Sequence, residues 1–174
     1  MDKYIYIKRK TLSKDQCKGI IDFFERSEQK ENVRGYTGVY TNFNTTSTLF
    51  MKSILRENIK EYANKHKFLH VIYCGWGLSP SLQIQKYLPG QSYSSEHMEH
   101  GKSDWDSRRL LGWMIYLNDI KNKGGTHWPQ QNFTSKPRAG DLYIWPAGWT
   151  HSHYGIVAPK EIKYIATGWA EMPP

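Results

Sequence analysis

Ser94-Ser95-Glu96-His97-Met98-Glu99-His100 and Trp145-Pro146-Ala147-Gly148-Trp149-Thr150-His151-Ser152-His153-Tyr154-Gly155 are the two stretches whose reading decides the fold. If both are strands, His97 and Glu99 point to one face, because strand side chains alternate. A further histidine from the second stretch would complete a two-histidine, one-carboxylate face on a metal, with coordination positions left open. The second stretch offers His151 and His153. They are two residues apart, so strand parity does not choose between them. An isolated His-x-Glu occurs by chance; its weight depends on the surrounding sequence.

The sequence around these stretches reads as strands. Leu82-Gln83-Ile84-Gln85-Lys86-Tyr87 alternates, and Pro89-Gly90-Gln91 turns. Tyr93 to His100 is expected to be a strand carrying the first ligands, and Gly101 to Ser107 a polar loop. Leu110 to Leu117 is strongly apolar and ends at Asn118-Asp119. Thr126-His127-Trp128, Asp141 to Trp145 and Lys163 to Trp169 follow, separated by Gly- and Pro-containing turns. Many short, regularly spaced strands predict a sandwich or barrel.

The N-terminal part differs. Tyr4-Ile5-Tyr6-Ile7 is a short strand. Ser13 with Gln16 forms a capping-box signature, and Cys17, Ile20, Ile21 and Phe24 recur at helical spacing, so a helix spans about Lys14 to Ser27. Gln29 to Thr46 reads as a long loop with at most one short strand near Gly38-Tyr40. Thr48 to about Lys65 is a second helix, with Met51, Leu55, Ile59 and Tyr62 on one face and His66 and His70 beyond it as structural or solvent-facing residues. The expected organisation is one domain over 1–174, with 1–78 as helical support and 79–174 as the β-rich core.

A chain of 174 residues is long enough to bury a substantial core. The net charge of +8 suits a nucleic acid, an acidic substrate or a plain basic surface; the basic residues are dispersed rather than blocked. Two cysteines, Cys17 and Cys74, make neither a disulfide framework nor a cysteine-rich zinc site. No signal-length or membrane-length apolar run is present. A cytoplasmic protein with no membrane association is the expectation.

Ser79 to Trp169 resembles the catalytic core of the prolyl-4-hydroxylase-like family of 2-oxoglutarate- and Fe(II)-dependent dioxygenases. The pieces that carry the resemblance are Gln85-Lys86-Tyr87-Leu88-Pro89-Gly90, His97-Met98-Glu99, Tyr116-Leu117-Asn118-Asp119 with Gly124-Gly125-Thr126, Lys136-Pro137-Arg138-Ala139-Gly140-Asp141, and His153-Tyr154-Gly155 with Lys163 ten residues after His153. Trp145 to His151 is also similar to small oxygenases of marine bacteriophages. The resemblance implies an all-β core with supporting helices, a double-stranded β-helix (a cupin-like jelly roll). It selects His153 over His151, because the family's distal ligand is a His-x-Gly histidine followed about ten residues later by a Lys or Arg that binds the co-substrate.

The implied metal ligands are therefore His97, Glu99 and His153, and Lys163 binds the distal carboxylate of 2-oxoglutarate. Tyr87 and Tyr116 match positions whose phenols lie against that co-substrate. Ile165, Thr167 and Trp169 share the Lys163 face by alternation, so Thr167 could add a hydroxyl, and Gln83 and Gln85 share the Tyr87 face. The implied cofactors are Fe(II), 2-oxoglutarate and O2, with ascorbate as an accessory reductant. The implied reaction hydroxylates a C–H bond and releases succinate and CO2, with a peptidyl proline as the first substrate and a small molecule as another. Nucleic-acid demethylation, a zinc hydrolase and a non-catalytic metal-binding jelly roll remain as alternatives. Two features depart from the family pattern: the acid is Glu99 rather than Asp, and the Tyr93–His97 spacing is one residue longer than in animal prolyl hydroxylases, which predicts a bulge or altered register before the ligand.

Overall fold

A computed structural model describes residues 3–33, 35–67 and 75–173. Among the described residues, ten strands form two sheets, accompanied by two α-helices. The larger has seven strands in the order β1-β8-β5-β10-β4-β3-β2, and the smaller has three in the order β7-β6-β9. The ranges are β1 Tyr6–Lys8, β2 Glu31–Val33, β3 Tyr36–Asn42, β4 Gly77–Tyr87, β5 Arg109–Tyr116, β6 Thr126–Trp128, β7 Phe133–Thr134, β8 Leu142–Pro146, β9 Tyr154–Gly155 and β10 Lys163–Glu171. Paired strands are antiparallel throughout. The arrangement is that of a double-stranded β-helix with two helices packed outside it.

Helix α1, Lys14–Arg26, begins where the sequence signals it. Ser13 accepts from the Gln16 amide and Gln16 returns a bond to the Ser13 amide. Such a cap is worth about 1 kcal/mol. Helix α2, Leu49–Lys65, buries Met51, Leu55, Ile59 and Tyr62.

The period of two sorts the large sheet into two faces. Leu82 and Ile84 of β4, Leu111, Trp113 and Ile115 of β5, and Leu142 and Ile144 of β8 pack against the helices. The alternate residues, Tyr87, Met114, Tyr116, Tyr143, Trp145 and Ile165, face the small sheet with Trp128. One face is therefore aliphatic and closed, and the other is aromatic.

The N-terminal stretch does more than support. Its β1 pairs with β8 at one edge of the large sheet, and β3 and β2 extend the other edge beyond β4. Arg9 pairs with buried Asp141, which also accepts from the Lys10 amide. Beside this anchor Gly140 has φ +83°, and a Cβ there would stand 2.1 Å from the Leu12 carbonyl oxygen. Only glycine allows that approach.

Two expectations need correction. Gln29–Thr46 is not a long loop: the short strand expected near Gly38–Tyr40 is seven residues long, Tyr36–Asn42, and pairs with a further strand, Glu31–Val33; long-range pairing with β4 outweighs its local Gly and Asn content. Tyr93–His100 is not a regular strand: only His97 makes a bridge, to His153. The Gly155 amide bonds the Tyr93 carbonyl while His97 and His153 exchange both backbone bonds. Four steps of chain from Tyr93 to His97 thus face two from His153 to Gly155, and the exposed Ser94-Ser95 absorbs the excess. The altered register expected before the first ligand takes this form. His66 is buried between Tyr4 and Tyr62, in keeping with a structural role. His70 and Cys74 lie outside the described residues.

Candidate active site

A cavity of about 300 Å³ opens between the aromatic face of the large sheet and the segments bearing the two histidine stretches. His97, Glu99, His153, Tyr87, Lys163 and Thr167 all line it.

At one end, His97, Glu99 and His153 each offer one ligand atom, all within 4.8 Å of one another. Each histidine is oriented from behind: Nδ1 of His97 lies 3.0 Å from the Ser95 carbonyl oxygen, and Nδ1 of His153 3.0 Å from that of His151. A proton on each Nδ1 donates to those carbonyls and leaves the Nε2 lone pairs for a metal. Tyr93 stacks edge-on against His97, and Trp128 and Trp145 flank His153. Glu99 places Oε1 3.3 Å from His153 Nε2, while Oε2 accepts from the Trp169 indole N–H at 2.7 Å. Burial alone would raise the Glu99 carboxyl, but the contacts with His153, His97 and Trp169 outweigh it and hold the group at about 2. Burial and the neighbouring His153 lower His97, which favours neutral imidazole. Two imidazoles and an ionised carboxylate on one side of an open space suit Fe(II).

At the other end stands Lys163, only 3 % exposed. Its ammonium donates to the Gly124 carbonyl oxygen at 3.2 Å and lies 4.3 Å from the Tyr87 ring centroid. No carboxylate pairs with it among the described residues, and desolvation lowers it to about 8. A buried cation with one neutral oxygen partner is costly unless an anion meets it. That is the chemistry a distal carboxylate requires.

The wall between the ends follows strand register. Lys163, Ile165 and Thr167 of β10 sit opposite Tyr87, Gln85 and Gln83 of β4. The Thr167 hydroxyl donates to the Trp113 carbonyl, so it presents lone pairs rather than its proton to the cavity. Tyr116 does not line the cavity. Its hydroxyl lies 2.7 Å from Ser135 Oγ and 3.3 Å from Thr126 Oγ1, and Thr126 stands in the wall in its place.

The remaining titratable groups near the two stretches are occupied elsewhere. His151 is buried with Nε2 2.9 Å from the Lys3 carbonyl and Nδ1 3.0 Å from the Thr150 hydroxyl, and is not grouped with His97 and Glu99. His100 meets the Arg109 carbonyl, and His127 meets Thr134 and Tyr154. Asp104 is exposed, whereas Asp106 pairs with Arg109 at 2.7 Å.

Sequence reasoning missed three contributors. Arg109 covers the Trp169 ring at 3.6 Å from its centroid and donates to the Glu99 backbone carbonyl, bracing that residue. Nothing local in the sequence marks it. Tyr36 and Tyr40 of β3 form a second wall, hidden by the loop reading of that segment. The place of Trp169 on the Lys163 face was legible from alternation, but its bond to Glu99 was not.

Comparison with known proteins agrees with this geometry. Residues 82–171 match the 2OG-Fe(II) oxygenase superfamily. A protein of Acanthamoeba polyphaga mimivirus named "Putative prolyl 4-hydroxylase" is 32% identical over 108 residues, a match covering 51% of this chain and 43% of that protein. The chain thus spans under half the length of that relative. Among solved structures, a viral collagen prolyl hydroxylase of Paramecium Bursaria Chlorella virus-1 in its 2OG complex superposes with TM-score 0.78 at 20% identity, covering 98% of this chain and 97% of that one. A Pseudomonas putida prolyl-4-hydroxylase gives 0.76 at 16%, covering 98% and 94%. A Trichoplax adhaerens prolyl hydroxylase bound to a hypoxia inducible factor peptide gives 0.70 at 15%, covering 98% and 84%. Those structural likenesses are likenesses of fold.

Proposed function

The chain belongs to the 2OG-Fe(II) oxygenase superfamily, and from that premise we propose that it is a 2-oxoglutarate-dependent hydroxylase of prolyl residues in peptides. His97, Glu99 and His153 hold the iron, and Lys163 holds the distal carboxylate of 2-oxoglutarate. The observation that carries this reading is one cavity with a two-histidine, one-carboxylate group at one end and, at the other, a buried cation with no carboxylate partner among the described residues.

When bound, Fe(II), 2-oxoglutarate and O2 supply the oxidising chemistry, which couples release of succinate and CO2 to hydroxylation of a C–H bond. The chain's own part is binding and geometry. The backbone carbonyls behind His97 and His153 keep both Nε2 atoms forward. Trp169 donates to one Glu99 oxygen, which would leave the other for the metal. Lys163 neutralises the co-substrate's far end, and the Tyr87 ring covers its ammonium against water. Ascorbate would serve as an accessory reductant.

A peptide substrate is favoured because the rim is aromatic. Tyr40, Tyr93 and Met98 are exposed at the cavity, and their surfaces suit an apolar ring. The mimivirus relative and the three fold neighbours carry prolyl hydroxylase names. The test measures succinate formation across proline-containing peptides, free amino acids and methylated single-stranded DNA. Peptide-stimulated turnover is expected. Efficient DNA demethylation with no peptide activity would replace the substrate assignment.

A further inference from the structure

A second cavity lies behind the first. It is an open trough of about 830 Å³ and shares no lining residue with the catalytic cavity. One wall is the loop from Asp119 to Lys123, and the other is the stretch from Thr134 to Arg138 that runs on from β7. The two walls meet at the floor, where a Cβ on Gly125 would stand 2.1 Å from the Ser135 carbonyl oxygen. One end is closed: the Ile120 amide bonds the Pro137 carbonyl, and Asp119 Oδ1 accepts from the Ala139 amide. Beneath the floor, the Ser135 hydroxyl accepts from the amide of Thr126, which lines the catalytic cavity on its other side.

The charge on these walls is one-sided. Lys121 and Lys123 stand on the first, Lys136 and Arg138 on the second, and all four are exposed. None of the four side chains has an ion pair or hydrogen bond among the described residues. The acid in the lining, Asp119, is engaged by the Ala139 amide and by Lys14 at 3.6 Å. Glu161 turns its carboxylate to the backbone amides of Lys121 and Asn122, not to a lysine side chain.

The lining also selects among anions. It contains no aromatic residue, so it lacks the stacking platforms on which single-stranded nucleic acid is held. Burial along the second wall alternates, with Ser135 and Pro137 inward and Lys136 and Arg138 outward. The chain there is extended, and its two cations repeat at about 7 Å. An extended peptide carries alternate side chains at the same interval. Aspartate or glutamate at those positions meets Lys136 and Arg138 in register. A single exposed ion pair contributes little, so a small anion gains little here, whereas a row of carboxylates engages several cations at once.

We propose that this trough is a docking site for an acidic peptide segment of a partner protein, bound in extended conformation with carboxylates at alternate positions. The site is separate from the catalytic cavity, and it goes beyond the hydroxylase reading without depending on it.

The experiment follows the fluorescence anisotropy of short labelled peptides at physiological salt. In one, glutamate alternates with serine; a second has the same composition with its glutamates in one block. A labelled oligothymidylate of equal charge is the third probe. Wild type is compared with Lys136→Gln/Arg138→Gln, with Lys121→Gln/Lys123→Gln, and with Arg56→Gln/Lys60→Gln, which removes the same charge from exposed positions of α2 outside the trough. The alternating peptide should bind wild type more tightly than the blocked one. Lys136→Gln/Arg138→Gln should weaken it about 3- to 10-fold, the worth of two exposed ion pairs. Lys121→Gln/Lys123→Gln should act in the same direction, and the α2 pair should change affinity by less than about twofold, because salt screens distant charges. Equal weakening by the α2 pair overturns the assignment, since net charge alone is then acting. Equal affinity for the two peptides overturns it by removing the register, and no binding of the alternating peptide overturns it outright. Oligothymidylate that binds more tightly than either peptide, and is weakened by the trough variants, overturns it in favour of nucleic acid. Inorganic phosphate that competes at the peptide's own concentration overturns it in favour of a small-anion site.

Discussion

The two ends of the cavity hold buried charge in opposite ways. At the end proposed to hold the metal the charge is Glu99, and the protein itself surrounds it: His153 lies at one oxygen and Trp169 donates to the other, while Arg109 donates to the Glu99 backbone carbonyl. At the far end the charge is Lys163, and the protein gives it one carbonyl and the face of an aromatic ring. The first end is built on irregular backbone: one β-bridge, His97–His153, and single backbone bonds from Gly155 to Tyr93 and from Glu99 and His100 to Ala147 join its two segments. The second stands at the start of a nine-residue strand paired on both sides. Ligands that must converge on one ion need backbone free of the strand's strict alternation, and they need bracing to replace the rigidity a strand provides. A cation awaiting an anion needs only a dry position at a fixed depth, which strand register provides.

The largest effect should come from the metal end. His97→Ala, Glu99→Ala and His153→Ala should each abolish tight Fe(II) or Mn(II) binding and turnover. His100→Ala and His151→Ala should keep the metal, since those rings are held by backbone and side-chain groups elsewhere. Metal titrations of the five variants check this. Loss of metal in His151→Ala with retention in His153→Ala would reverse the distal assignment.

Lys163→Ala should break the far end alone. Loss of a charge-assisted bond weakens 2-oxoglutarate binding about 10- to 100-fold, while metal affinity stays near wild type. Lys163→Arg should rescue in part, because the charge survives in a longer, planar group. Paired titrations with Mn(II) and 2-oxoglutarate separate the two ends, and unchanged co-substrate affinity in Lys163→Ala would remove the comparison's second half.

Trp169→Phe tests whether bracing matters. It keeps the ring under Arg109 and deletes the N–H that holds Glu99. A drop of roughly tenfold in metal affinity is expected, in line with other residues that orient metal ligands. No change would mean that packing alone positions the carboxylate.

The smallest effect near neutrality is on pH. Burial lowers Lys163 from 10.5 to about 8 in the free protein. Binding of a carboxylate favours the ammonium, so binding takes up a proton above that pH. Co-substrate affinity should be full below pH 8 and fall toward tenfold per unit above it. Stability moves the other way. The unfolded lysine binds more protons than the folded one between about 8 and 10.5, so the ligand-free protein gains stability as pH rises through that window. The difference between wild type and Lys163→Met, in both denaturation and 2-oxoglutarate titrations, isolates this group from tyrosines titrating nearby. A pH-independent difference would place Lys163 in water rather than in the cavity.

Much of this was legible before any coordinates. The capping box at Ser13 and Gln16 placed α1. The row Lys163, Ile165, Thr167, Trp169 read as one face and lines one cavity. These readings succeed because a capping bond spans three residues and a strand's alternation is a property of adjacent peptides. Where the reading failed, the cause was distant. β3 looked like at most a short strand in a loop because its Gly38 and Asn42 are poor strand formers, yet β4 lies ready to pair with all of it. Tyr93–His100 looked like a strand, yet its partner segment is two residues short.

By itself, the sequence determined a sandwich or barrel of short strands, which residues of a strand share a face, and the residue types that could meet at a metal. Resemblance chose His153 over His151, and parity could not. Tertiary structure alone decided which donors converge and which are already engaged: that Tyr116 bonds Ser135 and Thr126 behind the wall, that Trp169 braces Glu99, and that Gln83 Oε1 accepts from both Tyr36 and Gln85. Hydrogen bonds between side chains of different strands depend on register across a whole sheet. Register is set by every pair in the ladder at once, not by the residues of any one segment.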